Sequence, residues 1–342
     1  MARELSGIFA RYLRPSVFLW LGLLALCADA SLALTRAELY QATVPVADRS
    51  EASLAAAFEA ALKIVLIRVT GRRTAPDDPT LTPLVANARR YVQQYRAAPD
   101  SQLLVAFDSA AIDRWLTQND QPIWGRERPS TYMWLAVQTA PQSGTVITTE
   151  DTSELKAAID VAAVERGTPV LWPNAADLQR NHLDYTAVVS GAPGTLADFG
   201  RRSGADGALI GRAANNTAAA LVHWTFLFQD HSSEFSGAAV EGINRAADGY
   251  AAIFAISGSL VPVDIEVTDV ADLKDYAAAQ SYLESLAFIS HVSVQGLNGD
   301  SVTFRVTARG GPEALQHALS SSGRLQPIAA GDNGIPRFQL RR

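Results

Sequence analysis

Residues 194–229 (GTLADFGRRSGADGALIGRAANNTAAALVHWTFLFQ) constrain the possible folds of this chain more than any other stretch. Leu196, Phe199 and Arg202 are spaced as one short helix, Ser203-Gly204 ends it, and Ala208-Leu209-Ile210 reads as a buried strand. Asn215-Asn216 supplies a hairpin turn, and the return run, 219–228, is the longest apolar stretch after residue 33. Apolar runs bounded by turn residues predict a central strand covered on both faces of a sheet. Val222, Trp224, Phe226 and Phe228 alternate with Leu221, His223, Thr225 and Leu227. Period-two geometry therefore places the aromatic set on one face, against the helices of its unit. This stretch is scaffold and carries no obvious chemistry.

Around it the chain divides into three units. Residues 34–128 predict an N-terminal βααβα unit. It has a strand at 40–46, a helix opened by Asp48 and Glu51 at capping-box spacing, and Thr70-Gly71 as its stop. Leu54, Phe58, Ala61, Leu62, Val65 and Val69 form that helix's apolar face. A second amphipathic helix is expected over 84–95, a strand over 103–107, and a helix carrying Ile112, Trp115 and Leu116 after Asp108 or Ser109. The Pro- and Gly-containing segment 121–130 marks a boundary.

Residues 129–257 predict a mixed-sheet unit. Its elements are a strand at 131–138, a polar loop at 140–149, a helix at 153–166, a parallel strand at 168–171, the opening stretch, an antiparallel strand at 234–240, and a helix at 243–255. Residues 258–342 predict β-α-β-β-α-β, the ferredoxin-like order. Here Asp269 and Asp272 sit at capping spacing before a helix carrying Leu273, Tyr276, Leu283 and Leu286. Asn298-Gly299 joins two cleanly alternating strands, 291–297 and 301–307. A helix over 313–319 and a strand over 325–328 complete the unit. The fold class is α/β in the α+β sense.

The first residues read as a targeting segment. Arg3, Arg11 and Arg14 precede the short apolar run 17–26, and Ala28-Asp29-Ala30 and Ser31-Leu32-Ala33 are both small-x-small cleavage sites. The run is short for a membrane span of about 20 residues, so export to the periplasm with cleavage after Ala30 or Ala33 is expected. Leu26 is too bulky to precede a lipid-modified Cys27. Cleavage would remove Cys27, the only cysteine, and with it any disulfide or thiolate chemistry. A net charge of −6 argues against a nucleic-acid partner.

The strings ALKIVLIRVTG (61–71), RRYVQQYR (89–96), LLVAFD (103–108) and PIWGRERP (122–129) resemble an uncharacterised proteobacterial family of exported proteins with a domain of unknown function. The likeness continues through ERGTPVLWP (165–173), RSGADGALIGRA (202–213) and the strand through Trp224. Two departures stand out: Pro173-Asn174-Ala175-Ala176-Asp177 replaces the family's P-x-x-D segment, and the hairpin tryptophans are thinned to Trp224. The resemblance implies an exported α/β protein and brings no catalytic residues. In its helix–strand–hairpin pattern with GADGALIG, the middle unit resembles at fold level the N-terminal domain of TolB and the CsgG and LpoB envelope proteins.

No metal, cofactor or catalytic motif is found. The histidines, His182, His223, His231, His291 and His317, show no paired ligand spacing. Asp230-His231-Ser232-Ser233 holds the residue types of a triad, but neighbours on a turn point apart, so it reads as a polar turn. Two groups are candidates for contact with a partner. Arg68, Arg72, Arg73, Arg89 and Arg90 are a locally basic set opposed nearby only by Asp77 and Asp78, and suit an anionic glycan or lipid headgroup. The other reading is that they cover helix surfaces and cap helix ends. Trp124, Arg126 and Arg128 lie on a proline-bounded loop, as contact residues or as a lock between two units. The expected role is a non-catalytic envelope interaction or assembly factor with another envelope protein as partner. An anionic-ligand module is the alternative, and a hydrolase using Asp177, His182 and Asp184 a more distant one.

Overall fold

The computed structural model describes residues 35–125, 128–286, 288–321, 324–330 and 334–341. The expected leader and its cleavage sites lie outside them, as does Arg126. Thr35 caps α1 (Arg36–Leu39) with a capping box closed by Glu38, and β1 (Gln41–Pro45) follows. α2 (Glu51–Thr70) is capped by Ser50, whose hydroxyl accepts from the Ser53 amide at 3.2 Å. Asp48, the expected cap, accepts from the Ser50 amide instead.

A larger difference comes next. After α3 (Thr82–Ala86) and a 3-10 turn at Ala88–Tyr91, the chain forms β2 (Val92–Ala98), which pairs antiparallel with β3 (Gln102–Phe107). The expected helix over 84–95 is therefore a short helix, a turn and the start of a strand. Residues 93–97 are all exposed, so no apolar face records the strand; its cause is backbone pairing with β3, which spacing does not encode. β3 lies central in the order β1-β3-β2, and α4 (Ser109–Gln118) follows, capped by Asp108. The N-terminal order is thus β-α-β-β-α apart from short helices, rather than βααβα. Phe58, Ala61, Leu62, Val65 and Val69 of α2 pack with Val44, Val105, Ile112 and Leu116 in the core of this unit.

The middle sheet begins with β4 (Thr131–Ala140) and β5 (Ser143–Val146), an antiparallel hairpin where a polar loop was expected. α5 (Glu154–Arg166), β6 (Val170–Leu171), α6 (Ala175–Arg180), α7 (Tyr185–Ser190) and α8 (Pro193–Arg202) follow. β7 (Gly207–Ala213), β8 (Leu221–Phe228), β9 (His231–Ala238) and α9 (Ala239–Phe254) complete it. The order is β5-β4-β7-β8-β9, with β4 parallel to β7 and to β6. The strands buried on both faces are β4 and β7; β8 alternates, with Leu221 and His223 exposed. Helices cover one face of the sheet around Tyr132, Trp134 and Ile210, and of β8 only Leu227 joins that cluster. On the opposite face Val222, Trp224, Phe226 and Phe228 pack with Ile243, Ala246, Ala247 and Tyr250 of α9, as the alternation requires.

The third sheet contains β10 (Leu260–Thr268), α10 (Leu273–Ser285), β11 (Ile289–Asn298), β12 (Ser301–Arg309), α11 (Gly311–Ser321), β13 (Leu325–Ile328) and β14 (Arg337–Leu340). The βαββαβ succession is present, but β14 was not expected. It runs parallel to β10, with Val267 opposite Phe338, and separates β10 from β13 in the order β11-β12-β10-β14-β13. Leu273, expected inward, is exposed. The described residues form one compact unit, within which the N-terminal, middle and C-terminal sheets have separate cores.

Candidate functional site: a buried arginine junction, a groove and a cleft

The C-termini of α2 and α5 meet between the N-terminal and middle sheets. Each ends on a left-handed glycine: Gly71 at φ 72° and Gly167 at φ 62°. A Cβ on Gly71 would stand 2.4 Å from the Ala251 Cβ, and one on Gly167 would stand 2.6 Å from the Arg68 Cγ. Both positions thus need glycine for space as well as for conformation. Helix C-termini carry unpaired carbonyls and the negative end of the helix dipole. Two such ends brought together call for buried cations.

Three arginines answer this. Arg128 donates to the carbonyls of Gly125 (2.7 Å), Trp124 (2.8 Å), Arg68 (2.9 Å) and Arg166 (3.4 Å), and its guanidinium lies 3.8 Å over the Trp124 ring. Arg166 donates to the Gly71 carbonyl at 2.9 Å and pairs with Asp248 at 2.7 Å. Arg68 donates to the carbonyls of Glu38 (2.7 Å), Gln41 (2.9 Å) and Leu39 (3.4 Å), fixing the start of β1. Burial pulls all three guanidinium groups below the usual arginine value, Arg128 most, with Arg68 and Arg166 adding to the effect there. The direction measures the cost of holding a cation in this interior; the guanidinium itself stays protonated.

The eight residues expected at a partner surface therefore separate. Arg68, Trp124 and Arg128 are interior. Arg72 pairs with Asp78 at 2.9 Å and donates to the Gln121 side chain, while Arg73 bridges Glu241 and Asp248 on α9, each at 3.0 Å. Arg89 and Arg90 are exposed, Arg89 facing Glu51 at 3.4 Å. Asp177 is held by Asn174 and Arg180, and Asp184 caps α7, so the two carboxylates flanking exposed His182 serve local turns. Among the described residues no group of three or more His, Cys, Asp or Glu could hold a metal ion, and no helix is long and apolar enough to cross a membrane.

Two depressions were not foreseen. A groove of about 590 Å³ runs between β1 and α5, lined by Gln41, Thr43, Ile64, Leu104, Val161 and Val164. Val161 and Val164 are 59% and 68% exposed. The Tyr40 carbonyl accepts from Phe107 and the Val46 amide donates to Ser101, so alternation turns the backbone of Gln41 and Thr43 away from β3. Arg68 takes the Gln41 carbonyl; Pro45 has no amide to offer. What stays open is a short piece of strand edge centred on Thr43. Glu38, Asp160 and Glu165 stand on the rim.

The second depression, about 360 Å³, is a cleft between α4 and the C-terminal sheet, lined by Arg36, Tyr40, Asp113, Glu284, Leu286 and Arg309 among others. Arg36 donates to Asp113 at 2.5 Å, and the Tyr40 hydroxyl donates to the other Asp113 oxygen. Burial raises the Asp113 carboxyl above the ordinary 3.8, against the lowering pull of Tyr40, Arg36 and Arg309. Sequence signals for both sites were present but faint. Val161 and Val164 fall off the inward face of α5, and Tyr40 and Asp113 become neighbours only in the fold.

A family model described as a domain of unknown function (DUF8605) matches residues 33–125. No curated protein and no solved structure matches the chain. The matched segment covers α1 to α4 and ends at Gly125, inside the arginine junction.

Proposed function

We propose that this protein is an exported, periplasmic interaction or assembly factor without catalytic chemistry, docking another envelope protein in the groove between β1 and α5. The likeness of the middle unit to the TolB N-terminal, CsgG and LpoB domains belongs to this proposal. One observation carries it: an open strand edge and two exposed valines border the same groove. Strand addition to a sheet edge takes affinity from backbone hydrogen bonds and specificity from alternate side chains. Glu38 and Glu165 on the rim, with Asp160 already paired to Lys156 at 2.7 Å, favour an extended apolar segment with basic flanks. Selection from a displayed library of unstructured peptides tests this. The expected winners alternate apolar residues between lysines or arginines, protect the Thr43 amide from exchange, and bind at least about tenfold more weakly to Val164→Asp with melting unchanged. Helical or acidic winners, or an unprotected Thr43 amide, overturn it.

Binding of an anionic glycan or lipid headgroup is the second reading. Exposed Arg90, beside Arg89, favours it. Phosphatidylglycerol vesicles would then retain the protein at low salt, and the Arg89→Gln/Arg90→Gln double variant would not be retained.

A further inference from the structure

Arg309 ends β12 and crosses to the N-terminal unit, where its Nη2 donates to the Thr117 hydroxyl at 2.8 Å. The residue is 8% exposed, and its Nη1 is sealed from solvent without an acceptor. Among the described residues it is the only terminal guanidinium nitrogen so placed, and Arg309 makes no ion pair. Asp113 and Asp120 lie near enough to favour its charge, but neither bonds it: both Asp113 oxygens accept, from Arg36 and Tyr40, and Asp120 accepts from the Gly258 amide at 3.0 Å. A buried guanidinium nitrogen without an acceptor is costly, and a guanidinium fork matches a planar oxyanion. The cleft beside it has an apolar wall of Leu39, Ile123, Leu286 and Ile289, and Glu284 at its margin repels a second negative charge.

We propose that the cleft between α4 and the C-terminal sheet binds a short aliphatic monocarboxylate, its carboxylate held by Arg309 and its body against Leu286 and Ile289. The site is separate from the groove at β1 and does not depend on it. Calorimetric titration of the full chain with isovalerate at constant ionic strength tests it, with isoamyl alcohol and inorganic phosphate as controls. Saturable heat is expected with isovalerate alone, weakened at least about tenfold in Arg309→Gln. Glu284 is exposed, so Glu284→Gln keeps the fold; it is expected to tighten isovalerate severalfold and to admit phosphate. That variant carries the test if Arg309→Gln does not fold. No saturable heat in the unmodified protein, equal binding by Arg309→Gln, or an unaltered response in Glu284→Gln overturns the proposal.

Discussion

Arg128 and Arg309 are buried to nearly the same degree, 7% and 8% exposed, yet their surroundings are opposite. Arg128 sits among four carbonyls, two of them at helix ends, and its Nε, Nη1 and Nη2 all donate. Arg309 reaches one hydroxyl and leaves a terminal nitrogen unmet. Burial alone does not say what an arginine is for. A cation whose nitrogens all donate belongs to the architecture, whereas one with a terminal nitrogen unmet beside a cleft is open to a ligand.

The strongest way to break this contrast is Arg128→Ala. Leaving several buried carbonyls unpaired is expected to cost about 3–5 kcal/mol, read from the denaturant midpoint at constant m-value. A loss below about 1 kcal/mol would mean that the helix ends do not need the cation. Arg166→Ala should follow at about 2–3 kcal/mol, because it strips the Gly71 carbonyl of its donor and Asp248 of one of its two arginines. Arg309→Met should change stability by less than about 1 kcal/mol in the ligand-free protein, since the one hydrogen bond it breaks, to Thr117, and its pull on Asp113 are offset by removal of a buried cation. A cost as large as that of Arg128→Ala would erase the distinction.

The smallest effect sharpens the electrostatics of the cleft. Asp113 has a raised carboxyl in the folded protein, so the native state holds its proton more tightly than the unfolded chain does. Its contribution is fully present below the ordinary aspartate value of 3.8 and is lost as pH rises through the raised value. Asp48 behaves oppositely: hydrogen bonds from Ser50 and Ser53 lower it to about 2, so its contribution is lost as pH falls from 3.8 towards 2. Urea midpoints of Asp113→Asn against the unmodified protein should diverge above pH 4, the variant gaining relative stability. Divergence in the other direction would place Asp113 in a stabilising ion pair with Arg36.

The α+β class and most elements were legible because they write their own periodicity. α2 and α5 show apolar faces, β11 and β12 alternate around Asn298-Gly299, and Trp224 stands with its even-spaced neighbours. What was illegible is held by partners far along the chain. β2 is exposed and exists through β3; the β5 hairpin interrupts a polar stretch; β14 pairs with β10 some seventy residues earlier. The arginines mislead for a related reason. Arg68 and Arg128 were singled out as a surface for anions or partners, but the acceptors that draw them inward are backbone carbonyls, and every residue has one. Gly71 was the legible part of that junction, marking where α2 stops without saying that it stops against the end of α5.

The wedge made by β14 has a consequence for the order of events in folding. Among the described residues β13 finds its ladder partner only in β14, and β14 in turn closes on β10, so Val267 must wait for Phe338. Phe338 is fully buried in the C-terminal core. A sheet whose interior strand is made after both of its neighbours combines large loop-closure entropy with late nucleation. Until residues 337–340 emerge, β10 keeps one flank unpaired and β13 has no strand at all to lie against. This part of the molecule should therefore be the last to consolidate, and the part most open to a passing strand or holdase while the chain is being made.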